Sequence, residues 1–332
     1  MASTRPRLLP AVADARRAVA ATLTDLDPAA LVLVALSGGA DSLALLVSAV
    51  FVAQRHALRC GAVVVDHRLQ EGSGAVAEAA AEQARSCGAD PVELVSVTVE
   101  GPGGPEAAAR AARRAALETA AARLGAVAVL LGHTLDDQAE TVLLGLARGS
   151  GARSLAGMRE VDGLWRRPLL RLDRAQSVEI CRWAGLSWWD DPHNGDLAYT
   201  RVRVRRTVLP VLETELGPGV ATALARSADL LRADADLLED LAAGLAAQVT
   251  RPDGSLDAEA LAAAPLALRS RVLRAAATAV GCPATDLGAT HVRALDALLF
   301  GWHGRAGVDL PGGVRAERVA GSLRWMPPGV AG

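Results

Sequence analysis

Four times in its first 150 residues, the chain runs from a short apolar segment through a polar corner into a longer helical pattern. LVLVAL (31–36) enters SGGADS and a helix from about Asp41 to His56, and CGAVVVDH (60–67) precedes a helix from about Ala75 to Cys87. VELVSVTV (92–99) leads through EGPGGP to an alanine-rich helix from Glu106 to Leu124. AVAVLLGH (126–133) leads to a helix from about Leu135 to Ala147. Strands that read as unbroken apolar runs are buried on both faces, so the order predicts a parallel sheet covered by helices on either side. Ligands of such sheets lie beyond the carboxyl ends of the strands. SGGADS, DHRLQ and GHTLDDQAET all fall there.

The glycine-rich segment RGSGARSLAGM (148–158) breaks the alternation. A helix is expected over Asp173–Ala184, ended by Gly185, and then a turn at WWDDPHNGD. Helical spacing continues from 218 to 300, including a long helix ending near Val249, and GVDLPGG, VRAERV and SLRWM read as a small meander. The expected architecture is an α/β domain over residues 1–215 and a mainly helical domain over 216–332 that ends in strands. A length of 332 residues suits two domains, and a half-apolar composition supplies their cores.

No apolar run approaches the ~20 residues of a membrane span. The N-terminal segment reads as a charged amphipathic helix, not a secretory signal. Four scattered cysteines without a CxxC pair argue for a reducing compartment and against a zinc ribbon or disulfide frame. Together these predict a cytoplasmic protein with no membrane partner.

The net charge of −2 conceals a division. Residues 148–206 carry 12 arginines against 7 acids, while the flanking regions are mildly acidic. This basic middle zone would suit a polyanionic partner. Every basic side chain is arginine, which excludes a lysine-dependent P-loop or a Schiff base.

A glycine pair between strand and helix turns backbone N–H groups toward an anion, and the helix N-terminus adds partial positive charge. At SGGADS the candidate phosphate-binding residues are Ser37, Gly38, Gly39, Ala40, Asp41 and Ser42, with Asp41 a candidate Mg²⁺ ligand. The competing reading is a tight turn in which Ser37 or Asp41 caps a helix. Asp66 and His67 stand where an adenine or ribose would lie beyond the second strand, or simply end it.

SGGADS matches the SGGxDS signature of the PP-loop (N-type) ATP pyrophosphatases. VDHRLQ (65–70), GHTLDDQAET (132–141), RGSGARSLAGM and WWDDPHNGDLAYTRVRVRRTVLPVL resemble, in order, the motifs of one branch, the tRNA(Ile)-lysidine synthases. LPGGVRAERVAGSLRW resembles the end of that family's following domain. Gln70, Arg114 and Val202 depart from the family pattern, and the length leaves no room for the extra C-terminal domain of long members.

The resemblance implies a PP-loop ATPase fold of the adenine nucleotide alpha hydrolase type, ATP and Mg²⁺ as cofactors, and two substrates. O2 of the wobble cytidine in a CAU-bearing isoleucine tRNA would attack the α phosphate of ATP; free L-lysine would then attack C2 and expel AMP. Such a reaction needs arginines beside the phosphates, and Arg110 and Arg113 share a helix face suited to that task or to plain solvation. It also needs carboxylates for the lysine ammonium. Asp137 and Glu140, three apart at a helix start, are the candidates, although acids there also favour the helix dipole and T-x-x-D resembles a capping box. His133 would orient substrate or end the strand. Arg201, Arg203, Arg205 and Arg206 would grip tRNA phosphates, and Trp188 and Trp189 would stack on a base or join the core. Monomer and homodimer both remain open. The alternatives are a tRNA thiolase, an amide-forming synthetase and a non-enzymatic nucleotide-binding regulator.

Overall fold

The computed structural model describes residues 8–68, 72–99, 104–191, 195–300 and 307–326. Gln70, part of the EGPGGP loop and residues 192–194 of the WWDDPHNGD turn lie outside them. Two compact units divide at 229/230.

The first unit begins with α1 (Pro10–Ala21), β1 (Leu31–Leu36), α2 (Ala40–Arg55), β2 (Arg59–Asp66), α3 (Ser73–Ser86) and β3 (Val92–Ser96). It continues with α4 (Pro105–Leu124), β4 (Ala126–Leu130), α5 (Leu135–Ala147), α6 (Ala152–Leu155), β5 (Val161–Asp162), β6 (Trp165–Arg166) and α7 (Arg174–Ala184). After α8 (Thr200–Arg203) the helix widens into a π-helical turn at Val204–Val208 and resumes as α9 (Leu209–Glu215). The strands form one sheet in the order β3-β2-β1-β4-β6-β5, parallel except for β5.

Six consecutive residues of β1 are buried because both sheet faces are covered. Val32, Val34 and Leu36 pack into a cluster with residues of α1, α2, α3 and α7. Leu31, Leu33 and Ala35 face the opposite way, against Leu117, Ala120 and Ala121 of α4. This is the two-residue period of a strand with no solvent side.

From β1 the chain crosses to β2 and β3 on one side, then returns to place β4 on the other. The β1/β4 boundary is therefore the switch point, and α2 and α5 start at its two lips. Gly132 makes the closeness possible: a Cβ there would stand 3.1 Å from the backbone carbonyl carbon and oxygen of Asp41 and from Cα of Ser42.

The parallel sheet covered on both faces follows the expected pattern. The strands stop short of the predicted ends, β3 at Ser96 and β4 at Leu130, because their last residues peel into the loops that form the mouth. The short β5 and β6 had no periodic signal. The first unit extends past the expected 215/216 boundary because α10 (Val220–Val249) begins within it. Ala221 and Leu224 pack against the cluster of Ala139, Val204 and Leu209.

In the second unit, β7 (Leu256–Asp257), α11 (Ala258–Ala262), α12 (Leu266–Ala279) and α13 (Ala289–Leu298) precede β8 (Gly307–Asp309), β9 (Arg315–Val319) and β10 (Ser322–Met326). The strands form an antiparallel sheet in the order β7-β10-β9-β8. The meander was expected; β7, two residues long, was not. A core of Leu256, Leu261, Leu273, Leu287, Leu295 and Leu323 joins sheet and helices. Among the described residues no helix is long and apolar enough to cross a membrane.

Substituting Gly132 by alanine forces β4 and α2 apart against rigid backbone. It should cost about 1–3 kcal/mol, the usual range for overpacking, and calorimetry should read this as a lowered Tm with the far-UV spectrum unchanged.

Candidate active site

At the first lip, Gly39 precedes α2 with no side chain capping it, so the N–H groups of the first turn face the crevice without an internal acceptor. Gly38 adopts φ +78°, a left-handed conformation that a side chain would strain. The loop holds its shape through its serines. Ser42 Oγ donates to the Gly39 carbonyl (2.9 Å) and accepts from the Ser37 backbone N–H (3.1 Å), and the two hydroxyls lie 3.1 Å apart. Ser42, buried, therefore shapes the corner instead of facing a ligand; Ser37 is exposed.

Asp41 follows in the first turn of α2. Its Oδ2 accepts from Arg174 Nη1 at 3.1 Å, while Oδ1 is buried with no partner. Burial raises its carboxyl above the usual range, and the Arg174 guanidinium opposes that rise.

At the second lip, Thr134 and Asp137 form a capping box, with Asp137 Oδ2 accepting from the Thr134 backbone N–H at 2.8 Å. The capping alternative is correct for this acid, yet its other oxygen is engaged elsewhere. Arg205 donates from Nη2 to Asp137 Oδ1 (2.8 Å) and from Nε to Glu140 Oε1 (2.5 Å). Glu140 is 1% exposed. Burial raises its carboxyl, and Arg205 counteracts this by charge and hydrogen bond. Asp136 turns away, accepting from the Arg174 backbone N–H at 3.0 Å.

Arg205 thus corrects its assignment as an exposed phosphate-gripping residue. It lies on the π-helical turn, a kind of turn frequent at functional sites. Arg203 is exposed but occupied by the carbonyls of Leu197 and Ala198, and Arg201 reaches Thr141 Oγ1 at 3.4 Å. Arg206 is exposed on the same segment. Arg166 is likewise buried and paired with Asp25, and Arg171 bridges Glu160 and Asp229. Several arginines of the basic zone are therefore engaged with acids or carbonyls of the protein itself. Trp188 packs against the core cluster, as its competing reading held.

Arg110 and Arg113 of α4 come together with Arg167 around His133, at the end of β4. Burial pushes the His133 imidazole down to about 4; Asp137 opposes the fall, and the charges of Arg167, Arg113 and Arg110 deepen it. His133 is therefore neutral at physiological pH. Arg113 also acts on His67, lowered first by its own burial. Arg113 forms no ion pair with a described carboxylate, leaving its charge for an anion. Asp66, buried, accepts from the Arg68 backbone N–H at 2.9 Å, which is a strand-end turn. Arg114, one of the departures, stacks over Trp165 at 4.8 Å and pairs with Glu118 at 3.0 Å.

Buried polar side-chain atoms are almost always hydrogen-bonded. Among the described residues, and leaving aside arginine Nε atoms, those without a partner are Asp41 Oδ1, His67 Nδ1, His133 Nδ1 and Ser177 Oγ. Asp41, His67 and His133 mark the carboxyl ends of β1, β2 and β4. Ser177, on α7, lies close enough to Asp41 to favour its charged form. The three at the strand ends describe a site shaped for a polar ligand. Ser177 and Arg174 carried no sequence signal, since both reach Asp41 from more than 130 residues away.

Residues 12–212 match the PP-loop domain family, and residues 256–324 match the TilS substrate binding domain. The chain is 56% identical to the tRNA(Ile)-lysidine synthase of Thermobifida fusca over 95% of this chain and 97% of that one. It is 54% identical to the enzyme of the same name from Streptomyces coelicolor, over 90% and 86%. A U34-tRNA thiolase from Methanococcus maripaludis, solved with its iron–sulfur cluster, superposes with a TM-score of 0.55 at 19% identity, over 67% of this chain and 80% of that one. That likeness extends to the fold alone. By sequence and domain order, this chain belongs to the tRNA(Ile)-lysidine synthase family of PP-loop enzymes.

Proposed function

We propose that the chain joins free L-lysine to C2 of the wobble cytidine of a CAU-bearing isoleucine tRNA, through an adenylated cytidine, with ATP converted to AMP and pyrophosphate. The observation that carries this reading is the ring of unsatisfied polar atoms at the carboxyl ends of β1, β2 and β4, with arginines on one side and paired carboxylates on the other.

The triphosphate lies against the uncapped N-terminus of α2, where unpaired N–H groups meet its charge. Arg113 and Arg110 supply fixed positive charge as pyrophosphate departs. The donors present fit Mg²⁺: Asp41 offers a buried carboxylate oxygen without a partner, and such ions are commonly held by one or two carboxylates plus phosphates. Bound there, Mg²⁺ would neutralise phosphate charge. His67 and Asp66 border the nucleoside. Neutral His133 can donate or accept one hydrogen bond without adding charge.

The lysine ammonium meets Glu140 and Asp137. Two acids sharing Arg205 carry one net negative charge, matched to one ammonium. The guanidinium beside them disfavours the protonated amine and so eases formation of the nucleophile. The exposed Arg206 and the 256–324 domain are the surfaces proposed to hold the tRNA, in cytoplasmic solution.

Incubating the protein with Mg·ATP, labelled lysine and unmodified isoleucine tRNA should fix label in the RNA with stoichiometric AMP. Methionine tRNA bearing CAU should stay unlabelled. AMP formation without labelled RNA would reject lysine as the acceptor's partner, and no turnover in folded protein would favour the regulator. Asp41→Asn should slow pyrophosphate release about 10²–10³-fold, the scale for removing one electrostatic stabiliser; wild-type release rules out its role. Glu140→Ala should depress lysine transfer at least tenfold more than adenylation in single-turnover assays, and equal losses would remove its assignment to the amine.

A further inference from the structure

Arg174, the first residue of α7, touches three other segments at once. Its Nη1 donates to Asp41 Oδ2 (3.1 Å) and its Nη2 to Asp190 Oδ1 (3.0 Å). Its backbone N–H donates to Asp136 Oδ2 in the first turn of α5 (3.0 Å). A second tie joins those helix starts, from the Leu135 N–H to the Leu172 carbonyl at 2.8 Å. On the far side, Asp190 Oδ2 accepts from the Trp188 indole N–H at 3.3 Å, and the Trp189 backbone N–H donates to the Gly38 carbonyl at 3.0 Å.

We propose that Arg174 is a positioning residue for the adenylation step, a latch that orients Asp41 and holds the 186–191 turn against the glycine corner. This rests on the reading of Asp41 as a phosphate-side group. The hold is one-sided. Arg174 occupies one carboxylate oxygen, so the other, buried and unpartnered, keeps a fixed direction. A guanidinium suits the task because its planar fork reaches two carboxylates in set directions, whereas an ammonium is a single point charge. The same fork joins the nucleotide corner to the turn that precedes the Arg201–Arg206 segment. The shape of the ATP site and the placement of that turn are therefore coupled through one side chain. Asp190 is the outer anchor; its side chain is 70% exposed against 21% for Asp41, so the two halves of the latch are separable by mutation.

The test combines amide hydrogen exchange over 186–191 in the full chain, Mg·ATP affinity, and pyrophosphate release with tRNA, for Arg174→Gln, Arg174→Lys and Asp190→Asn. Arg174→Gln should speed exchange over 186–191 at least tenfold, weaken Mg·ATP binding, and slow release about 10²-fold, the scale of a small misplacement of reacting groups, with tRNA affinity unchanged. Arg174→Lys, able to keep one ion pair, should recover part of the release. Asp190→Asn should open the turn with a smaller loss of release, because Asp41 keeps its partner; it also serves if Arg174→Gln fails to fold. Unchanged exchange, or fast exchange with wild-type release and nucleotide affinity, overturns the latch. A wild-type protein that binds Mg·ATP but never acts on RNA would refute the proposed function instead. Exchange and nucleotide affinity in the variants would still decide the latch.

Discussion

The site depends on the adjacency of two helix N-termini. β1 and β4 lie side by side, but their connections leave in opposite directions, so α2 and α5 open onto one crevice. The approach is close enough that a Cβ at Gly132 would press on the Asp41 backbone at 3.1 Å. Each N-terminus brings partial positive charge, yet the two are finished differently. α2 begins with glycines and leaves its N–H groups open; α5 is closed by a capping box and surrounded by acids. One lip thus favours an anion and the other a cation, which suits the proposed use of a triphosphate and an ammonium in one crevice.

Charge balance in the crevice is maintained by arginines whose work is internal. Arg205 pairs with both Asp137 and Glu140, and it opposes the rise that burial imposes on the Glu140 carboxyl. Arg174 does the same for Asp41. Arg110, Arg113 and Arg167 are concentrated beside His133, and with burial they keep that imidazole neutral. A chain without lysine has only guanidinium groups for these tasks. Their fork geometry allows one residue to hold two acids at once.

Burial also explains which alternatives held. Asp137 is both a cap and a member of the ion triad because its two oxygens face different partners. Asp66 closes a turn, and Trp188 joins the core. Ser42 is consumed within its own loop. The basic zone over 148–206 looks like a nucleic-acid surface when counted as charge. Once folded, Arg166, Arg171, Arg174 and Arg205 each face an acid.

The parallel sheet, the polar corners and the span of α5 were legible in the sequence, because each rests on local periodicity or on a glycine or cap within a few positions. The ring of acids and histidines was legible too, since it sits where strands end. What only the tertiary structure decided is which arginine meets which acid. Arg205 is 65 residues from Glu140 and Arg174 is 133 from Asp41. Such pairs carry no periodic signature, and an arginine bound for a buried carboxylate looks the same in sequence as one bound for water. The sheet order, the π-helical turn and the burial of Glu140 made that choice, because a carboxylate taken out of water must find its counter-charge wherever the fold delivers one.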